Sequence, residues 1–337
     1  MRWYRTARRP LPWRNPRVEN AADLFYRVWL SEIMLQQTRV EAAIPYFNLF
    51  LQRFPSMESL AAADSEAVLT AWSGLGYYSR ARNLHHAAKQ MAAAGVPSTH
   101  GELLELRGVG AYTASAVASI ALGQPHAAVD GNVIRVIARL TNDAAEVTSP
   151  AMRRRIDEEA ANLLDARRPG DFNQAMMELG ATVCLPRVPR CEACPVKEFC
   201  AARAAGTERE LPVKLKKLKR NEISLALVFI ERAGRVFLVK RPTSEPRLAG
   251  FWELPAAAAF PNAPRLKVAE FRHQIVNDRF SVKLWRMDSG IDDASPIPDG
   301  EWIGASQLPR IPLTTITKKA LAAVQIATKQ EKLSVGL

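Results

Sequence analysis

Every cysteine of this 337-residue chain falls within a stretch of 17 residues, as Cys184-x6-Cys191-x2-Cys194-x5-Cys200. No other feature narrows the possible folds as much. Thiols this close together are expected to converge on a metal. Paired disulfides would be out of place in a cytosolic chain, and four cysteines are too few to staple one of this length. The spacing leaves the metal open. Zinc and a [4Fe–4S] cluster each accept four cysteine sulfurs, although zinc ribbons usually carry two widely separated C-x2-C knuckles, a pattern this chain lacks.

Around that loop the chain is that of a protein with a real core. Apolar residues make up 48 % and charged residues 24 %, which excludes a wholly disordered chain, and the length suggests two domains of about 100–220 residues. The longest apolar runs, such as Leu225–Ile230, fall short of the roughly 20 residues of a membrane span. Met1–Pro12 is basic with no apolar stretch behind it, so it does not read as a secretory signal. The expected location is cytoplasmic, at the nucleoid if the chain binds DNA. Forty-six Lys and Arg against 34 Asp and Glu leave a net charge of +12. An excess of that size points to a polyanionic partner, nucleic acid before others. A basic housekeeping enzyme or a ribosome-associated chain is the alternative on charge alone.

Residues 1–205 read as all-α. Helical periodicity predicts helices over 23–35, 40–54, 65–72, 79–94, 111–122, 132–140, 151–164 and 171–183, with Gly74 and Gly95 at C-terminal caps. Residues 206–222 read as a basic linker, with V-K-L-K-K-L-K-R over Val213–Arg220. From 223 to 337 the period becomes that of strands, at 223–231, 236–240, 268–276 and 280–286, before a closing helix at 314–328. This half is expected to be α+β.

Two further patterns carry chemistry. In Leu106-Arg107-Gly108-Val109-Gly110-Ala111-Tyr112 a G-V-G turn runs into a helix and would offer backbone N–H groups to a phosphate, with the helix dipole behind them. With the basic charge and a second helix opening at Asp130-Gly131-Asn132, the arrangement looks like a helix-hairpin-helix clamp on the DNA backbone. Glu32 sits in an apolar run, Val28-Trp29-Leu30-Ser31-Glu32-Ile33-Met34-Leu35, where desolvation should raise its proton affinity toward that of a useful acid. Asp130, from its local sequence, is first of all a helix N-cap.

These motifs occur in the order found in one family. Val28–Thr38, the run Gly74-Leu75-Gly76-Tyr77-Tyr78-Ser79-Arg80-Ala81-Arg82-Asn83-Leu84, Leu106–Thr113, Val129–Arg135 and the cysteine loop together resemble the adenine DNA glycosylases of the MutY type, in the helix-hairpin-helix superfamily that also contains endonuclease III. The resemblance is dense over about residues 10–205 and weaker beyond. It implies that Cys184, Cys191, Cys194 and Cys200 hold a [4Fe–4S] cluster. The implied substrate is double-stranded DNA with adenine opposite 8-oxoguanine or guanine, bound by a monomer with no membrane role. The adenosine would be flipped out of the stack. Glu32 would protonate adenine N7, and Asp130 would stabilise the cationic sugar and transiently bond to its C1′. Tyr112 and Asn132 would support that centre. Gln37 and Tyr77 match wedge residues, with Leu75 beside them and Thr38 closing the first motif. Arg14 and Gln174 match contacts to the flipped base, and Gly108, Val109 and Gly110 match the phosphate clamp.

Tyr112 stands where the endonuclease III type carries a lysine nucleophile, so base release without strand cleavage is implied. The C-terminal half resembles the Nudix-like domain with which this family reads 8-oxoguanine, through Gly250-Phe251-Trp252-Glu253-Leu254-Pro255. No R-E-x-x-E-E helix follows, which argues against pyrophosphate hydrolysis, and the interval from Trp252 to Phe271 is short enough that a helix is expected to be missing. Ile275-Val276-Asn277 replaces the family's Phe-Ser-His loop, leaving Asn277 either to contact the oxidised base or to turn a hairpin. A bifunctional pyrimidine glycosylase/lyase is disfavoured by Tyr112. A non-catalytic DNA-binding or nucleotide-hydrolysing protein is disfavoured by the intact Glu32 and Asp130 and by the missing Nudix helix.

Overall fold

The computed structural model describes residues 1–14, 20–214, 221–242, 244–245, 248–261, 265–275, 277–287 and 300–335. Its contacts divide the chain into two compact units, one built from 1–62 and 83–217, the other from 63–82 and 218–337.

The first unit is helical. It contains α1 (Arg2–Ala7), α2 (Ala21–Leu35), α3 (Val40–Arg53) and α4 (Met57–Ala62), then most of α6 (Ser79–Ala94), α7 (His100–Glu105), α8 (Ala111–Ile120), α9 (Gly131–Leu140), α10 (Pro150–Leu163), α11 (Pro169–Thr182) and α12 (Ala201–Ala205). Local chemistry sets the ends. Asn20, Thr99 and Ser149 each cap a following helix through a side-chain oxygen, and Pro150 and Pro169 occupy first turns, where the missing N–H costs nothing. Short α1, α4 and α7 were not foreseen, because six residues carry too little periodicity to register.

Two close approaches fix the centre of this unit. A Cβ on Gly170 would stand 2.6 Å from the Ser119 carbonyl oxygen, and one on Gly180 would stand 2.6 Å from Asn132 Cβ. Helix α11 therefore lies against α8 and α9 at contact distances that only glycine permits. Val133, Ile137, Met152 and Ile156 close the core between α9 and α10. Residues 206–214, expected as linker, are packed instead. Leu211 is buried, its carbonyl accepts from Arg139 Nε at 3.1 Å, and Val213 O accepts from Val147 N. Residues 215–220, most of the basic run, lie outside the described residues.

The second unit joins α5 (Ser65–Trp72) to a mixed sheet and a closing helix, α13 (Thr315–Val335). The strands are β1 (Asn221–Arg232), β2 (Arg235–Lys240), β3 (Trp252–Glu253), β4 (Leu266–Ile275), β5 (Asp278–Met287) and β6 (Gly300–Gly304), in the order β3-β2-β1-β5-β4 with β6 also on β2. Ala233 and Gly234, both at positive φ, turn the β1–β2 hairpin. Strands β1 and β5 pair in parallel, Asn221 opposite Asp278 through Ile230 opposite Met287. Helix α13 lays Ile316, Ala320 and Val324 on Leu238, Val282 and Leu284 of one face. Between β3 and β4 the described residues hold one short turn, Ala257–Ala259, and no α-helix. No helix among the described residues is long and apolar enough to cross a membrane.

Because Gly180 is what lets α11 reach Asn132, Gly180→Ala should cost about 1–3 kcal/mol, read as a lowered melting temperature. Gly206→Ala, whose Cβ meets nothing within 4 Å, supplies a comparison in which only the strain of its positive φ (+74°) acts.

Candidate active site

The run Val28–Met34 of α2 is buried, and Glu32 with it, at 6 % exposure. Among the described residues its one hydrogen-bond donor is a neutral phenol: Tyr112 Oη donates to Glu32 Oε2 at 2.8 Å, and Met177 Sδ lies 3.2 Å from the same hydroxyl. Burial pushes the Glu32 carboxyl up to about 7. The Tyr112 hydrogen bond opposes that rise, the charge of Asp130 adds to it, and Arg14 subtracts. Tyr112 itself is held far above the ordinary phenol value, by burial first and then by the two carboxylates. It remains an uncharged donor at any ordinary pH.

Asp130 is the N-cap of α9, the role its sequence position suggests. Oδ1 accepts from Asn132 N at 2.9 Å and Val133 N at 2.8 Å, and Oδ2 accepts from Asn132 Nδ2 at 2.8 Å. Capping does not exclude it from the site, since its charge acts on both Glu32 and Tyr112. Asn132 is held from behind, its Oδ1 accepting from Arg135 Nη2 at 2.9 Å, while Arg135 also donates to the carbonyls of Gly180 and Cys184, each at 2.7 Å. One turn further along, the buried Arg139 donates to Cys184 Sγ at 3.2 Å and to the carbonyls of Leu185 and Pro186. Both arginines went unremarked in the sequence, where i,i+4 arginines on a helix look like surface charge.

Arg14 and Gln174 come together as the motifs suggest, Arg14 Nε donating to Gln174 Oε1 at 3.0 Å. Their anchor was missed. Glu178 is fully buried and accepts from Arg14 Nη1 at 2.9 Å and from Arg9 Nε at 2.7 Å. Burial alone would raise its carboxyl, but the two guanidinium groups outweigh that and hold it below the usual range. At the other end of α2, Gln36 Nε2 donates to Thr113 Oγ1 at 3.1 Å. Gln37, next to it, is exposed at φ +56°, and Thr38 is half-buried.

In the hairpin before α8, Gly108 and Gly110 are exposed, whereas Val109 is buried and spends its N–H on Leu106 O at 3.1 Å. The expected triplet of bare amides is thus reduced by one. A Cβ on Gly108, at φ +84°, would meet Asn83 Cβ at 2.6 Å. Leu75, Tyr77 and Asn277 belong to the second unit. Tyr77 is 39 % exposed at φ +50°. Leu75 is buried, so a base could touch it only after the loop rearranged. Asn277 directly precedes β5 and its carbonyl accepts from Asn221 N at 2.9 Å, next to the cross-strand pair of Ile275 and Asp278. Val276 lies outside the described residues.

All four cysteines line one cavity, together with Arg139, Arg190, Lys197 and Arg203. Among the described residues no three Cys, His, Asp or Glu close to the distances of a single-ion site. Glu208 also lines the cavity, and with four basic side chains against that one acid and an arginine N–H already on one sulfur, the donor set fits a thiolate-bound group of net negative charge.

Comparison with known proteins gives the family. Residues 30–161 match the HhH-GPD superfamily base excision DNA repair proteins, which places the helical unit in that class. A thermostable thymine-DNA glycosylase structure aligns with 60 % of this chain and 93 % of its own, at a TM-score of 0.51 and 25 % identity. The adenine DNA glycosylase of Homo sapiens is 33 % identical over 96 % of this chain and 72 % of its own length. That of Arabidopsis thaliana is 40 % identical over 75 % of this chain, which spans only 46 % of that relative. The chain belongs to the adenine DNA glycosylase family.

The buried carboxyl of Glu32 makes a prediction about stability. Its folded value of about 7 lies above the ordinary 4.5, so folding carries no penalty below the lower value. Above the upper value it carries the full penalty, about 3 kcal/mol. Glu32→Gln removes that penalty, so its melting temperature relative to the parent should climb as pH rises from 5 to 8.

Proposed function

We propose that the chain is a monofunctional adenine DNA glycosylase that removes adenine opposite 8-oxoguanine or guanine in duplex DNA and leaves an abasic site. The carrying observation is one buried carboxyl near neutrality, hydrogen-bonded by a phenol and facing the charge of a second carboxylate. Breaking the N-glycosidic bond puts negative charge on the base and positive charge on the sugar. Glu32, its Oε2 occupied by Tyr112, carries its proton on Oε1 and gives it to adenine N7. Asp130, held by three N–H donors, meets the cationic sugar as an anion until water adds. Tyr112 takes no part as a nucleophile, having no amine to form a Schiff base. Arg14 and Gln174 hold the extruded base, Gln37, Thr38 and Tyr77 occupy and border the gap it leaves, and Gly108 and Gly110 receive a phosphate.

Cys184, Cys191, Cys194 and Cys200 would hold a [4Fe–4S] cluster. Four sulfurs on one cavity whose lining is mainly arginine and lysine, in a chain of the adenine DNA glycosylase family, support that reading. Such a group would cross-link the loop between α11 and α12, from Cys184, two residues past the end of α11, to Cys200, the N-cap of α12. The second unit, which the human relative's alignment includes, would serve as the Nudix-like reader of the opposite base.

The test is adenine release from A:8-oxoguanine, A:G and thymine-glycol duplexes. Adenine should leave the first two, with strand breaks appearing only after alkali or heat. The rate should fall as pH rises through about 7, the value at which Glu32 loses its proton. Glu32→Gln and Asp130→Asn should each lose on the order of a hundredfold or more. Nicking without alkali, or release from thymine glycol, would overturn the assignment. A broad visible absorption band in the purified protein separates iron–sulfide from zinc.

A further inference from the structure

We propose that Phe251, in the Gly250-Phe251-Trp252-Glu253-Leu254-Pro255 motif, is a positioning residue that sets the wedge residue Tyr77 through its neighbour Tyr78. The inference rests on the reading of Tyr77 as a wedge given above. Residues 63–82 form one compact unit with 218–337, so the loop that presents Tyr77 is built on the C-terminal sheet and its connections.

The loop is strained and needs external support. Tyr77 holds φ +50°, a left-handed conformation that disfavours any residue with a Cβ, between Gly74 at +116° and Gly76 at +80° on one side and α6 on the other. Trp72 Nε1 and Arg80 Nη2 both donate to Gly76 O, at 3.1 and 3.2 Å, and the Arg80 guanidinium lies 5.3 Å from the Tyr77 ring centre and 5.4 Å from that of Trp72. These contacts hold the loop internally. What ties it to the sheet is Tyr78. Its hydroxyl accepts from Gly74 N at 3.1 Å, and its buried ring stands 4.1 Å, centre to centre, from that of Phe251. Phe251 is itself fully buried and held on both sides, its N–H on Leu248 O and its carbonyl accepting from Arg241 N. Further bonds follow the same path: Arg82 Nη1 to Ala249 O at 3.2 Å, Ser73 Oγ to Leu313 O at 3.2 Å, and Lys318 Nζ to Ser73 O at 3.3 Å.

A core phenylalanine that served packing alone would act independently of Tyr77. One that positions Tyr77 has nothing left to position once that ring is gone. The test is a double-mutant cycle on the full chain with its cysteine loop loaded, measuring single-turnover adenine release from an A:8-oxoguanine duplex. Tyr77→Ala and Phe251→Ala should each slow release about tenfold, and the double variant should be no slower than Tyr77→Ala alone. Losses that multiply in the double variant, or a Phe251→Ala rate equal to the parent's while Tyr77→Ala is slow, overturn this inference and leave the wedge reading standing. A Tyr77→Ala rate equal to the parent's overturns the wedge reading and the inference with it. If Phe251→Ala does not fold, Phe251→Leu, which removes the ring stack on Tyr78 and keeps most of the buried apolar volume, goes through the same cycle with the same criteria.

Discussion

The site depends on the cost of drying a carboxyl. Glu32 lies among the buried apolar residues of α2, and the one donor that reaches it among the described residues is neutral. A cation at the position of Tyr112 would favour the carboxylate and remove the proton that the proposed reaction needs. Glu178 makes the contrast. It too is a glutamate in an apolar helical run, and it too is buried, but it meets Arg9 and Arg14 and is held as an anion. The two share a local sequence signature and have opposite proton affinities. The difference lies in what other segments bring to them, 80 residues away for one and more than 160 for the other.

Helix α9 carries several duties within ten residues. Its cap is Asp130, its first turn holds Asn132, and its next two turns present Arg135 and Arg139 to the segment around Cys184. The cysteine loop and Asp130 are therefore fastened to a single short rod. That rod can sit where it does because Gly180 lets the neighbouring helix come within contact distance of Asn132.

Much of this architecture was legible. Helical periodicity placed α2, α3, α5, α6, α8, α9, α10 and α11 to within about two residues, helped at α2, α9, α10 and α11 by a capping side chain or a first-turn proline. Glu32 was legible because a carboxylate in an apolar run is conspicuous. Strand pairing was not. Alternation marks β1 and β5 as strands but says nothing of their lying side by side in parallel, and the two-residue β3 has no period at all. Arg135, Arg139 and Glu178 were also invisible, since a charge's partner is decided by tertiary contacts rather than by its neighbours in the chain. Least legible was residues 63–82, whose helical pattern matches the segments around them although they pack with the C-terminal half.

That membership affects how the molecule is born. Ser73 bonds to Leu313 and to Lys318, partners 240 and 245 positions downstream. At ribosomal speeds of about 5–20 residues per second, this helix and loop emerge roughly 10–50 s before the chain that will cover them. In that interval Trp72, Leu75 and Tyr78, all buried in the finished molecule, have no sheet to rest on. Translation must run past the last strand into the closing helix before the nascent polypeptide can hide them all, and a ribosome that stalls late would leave Trp72 and the loop after it still bare.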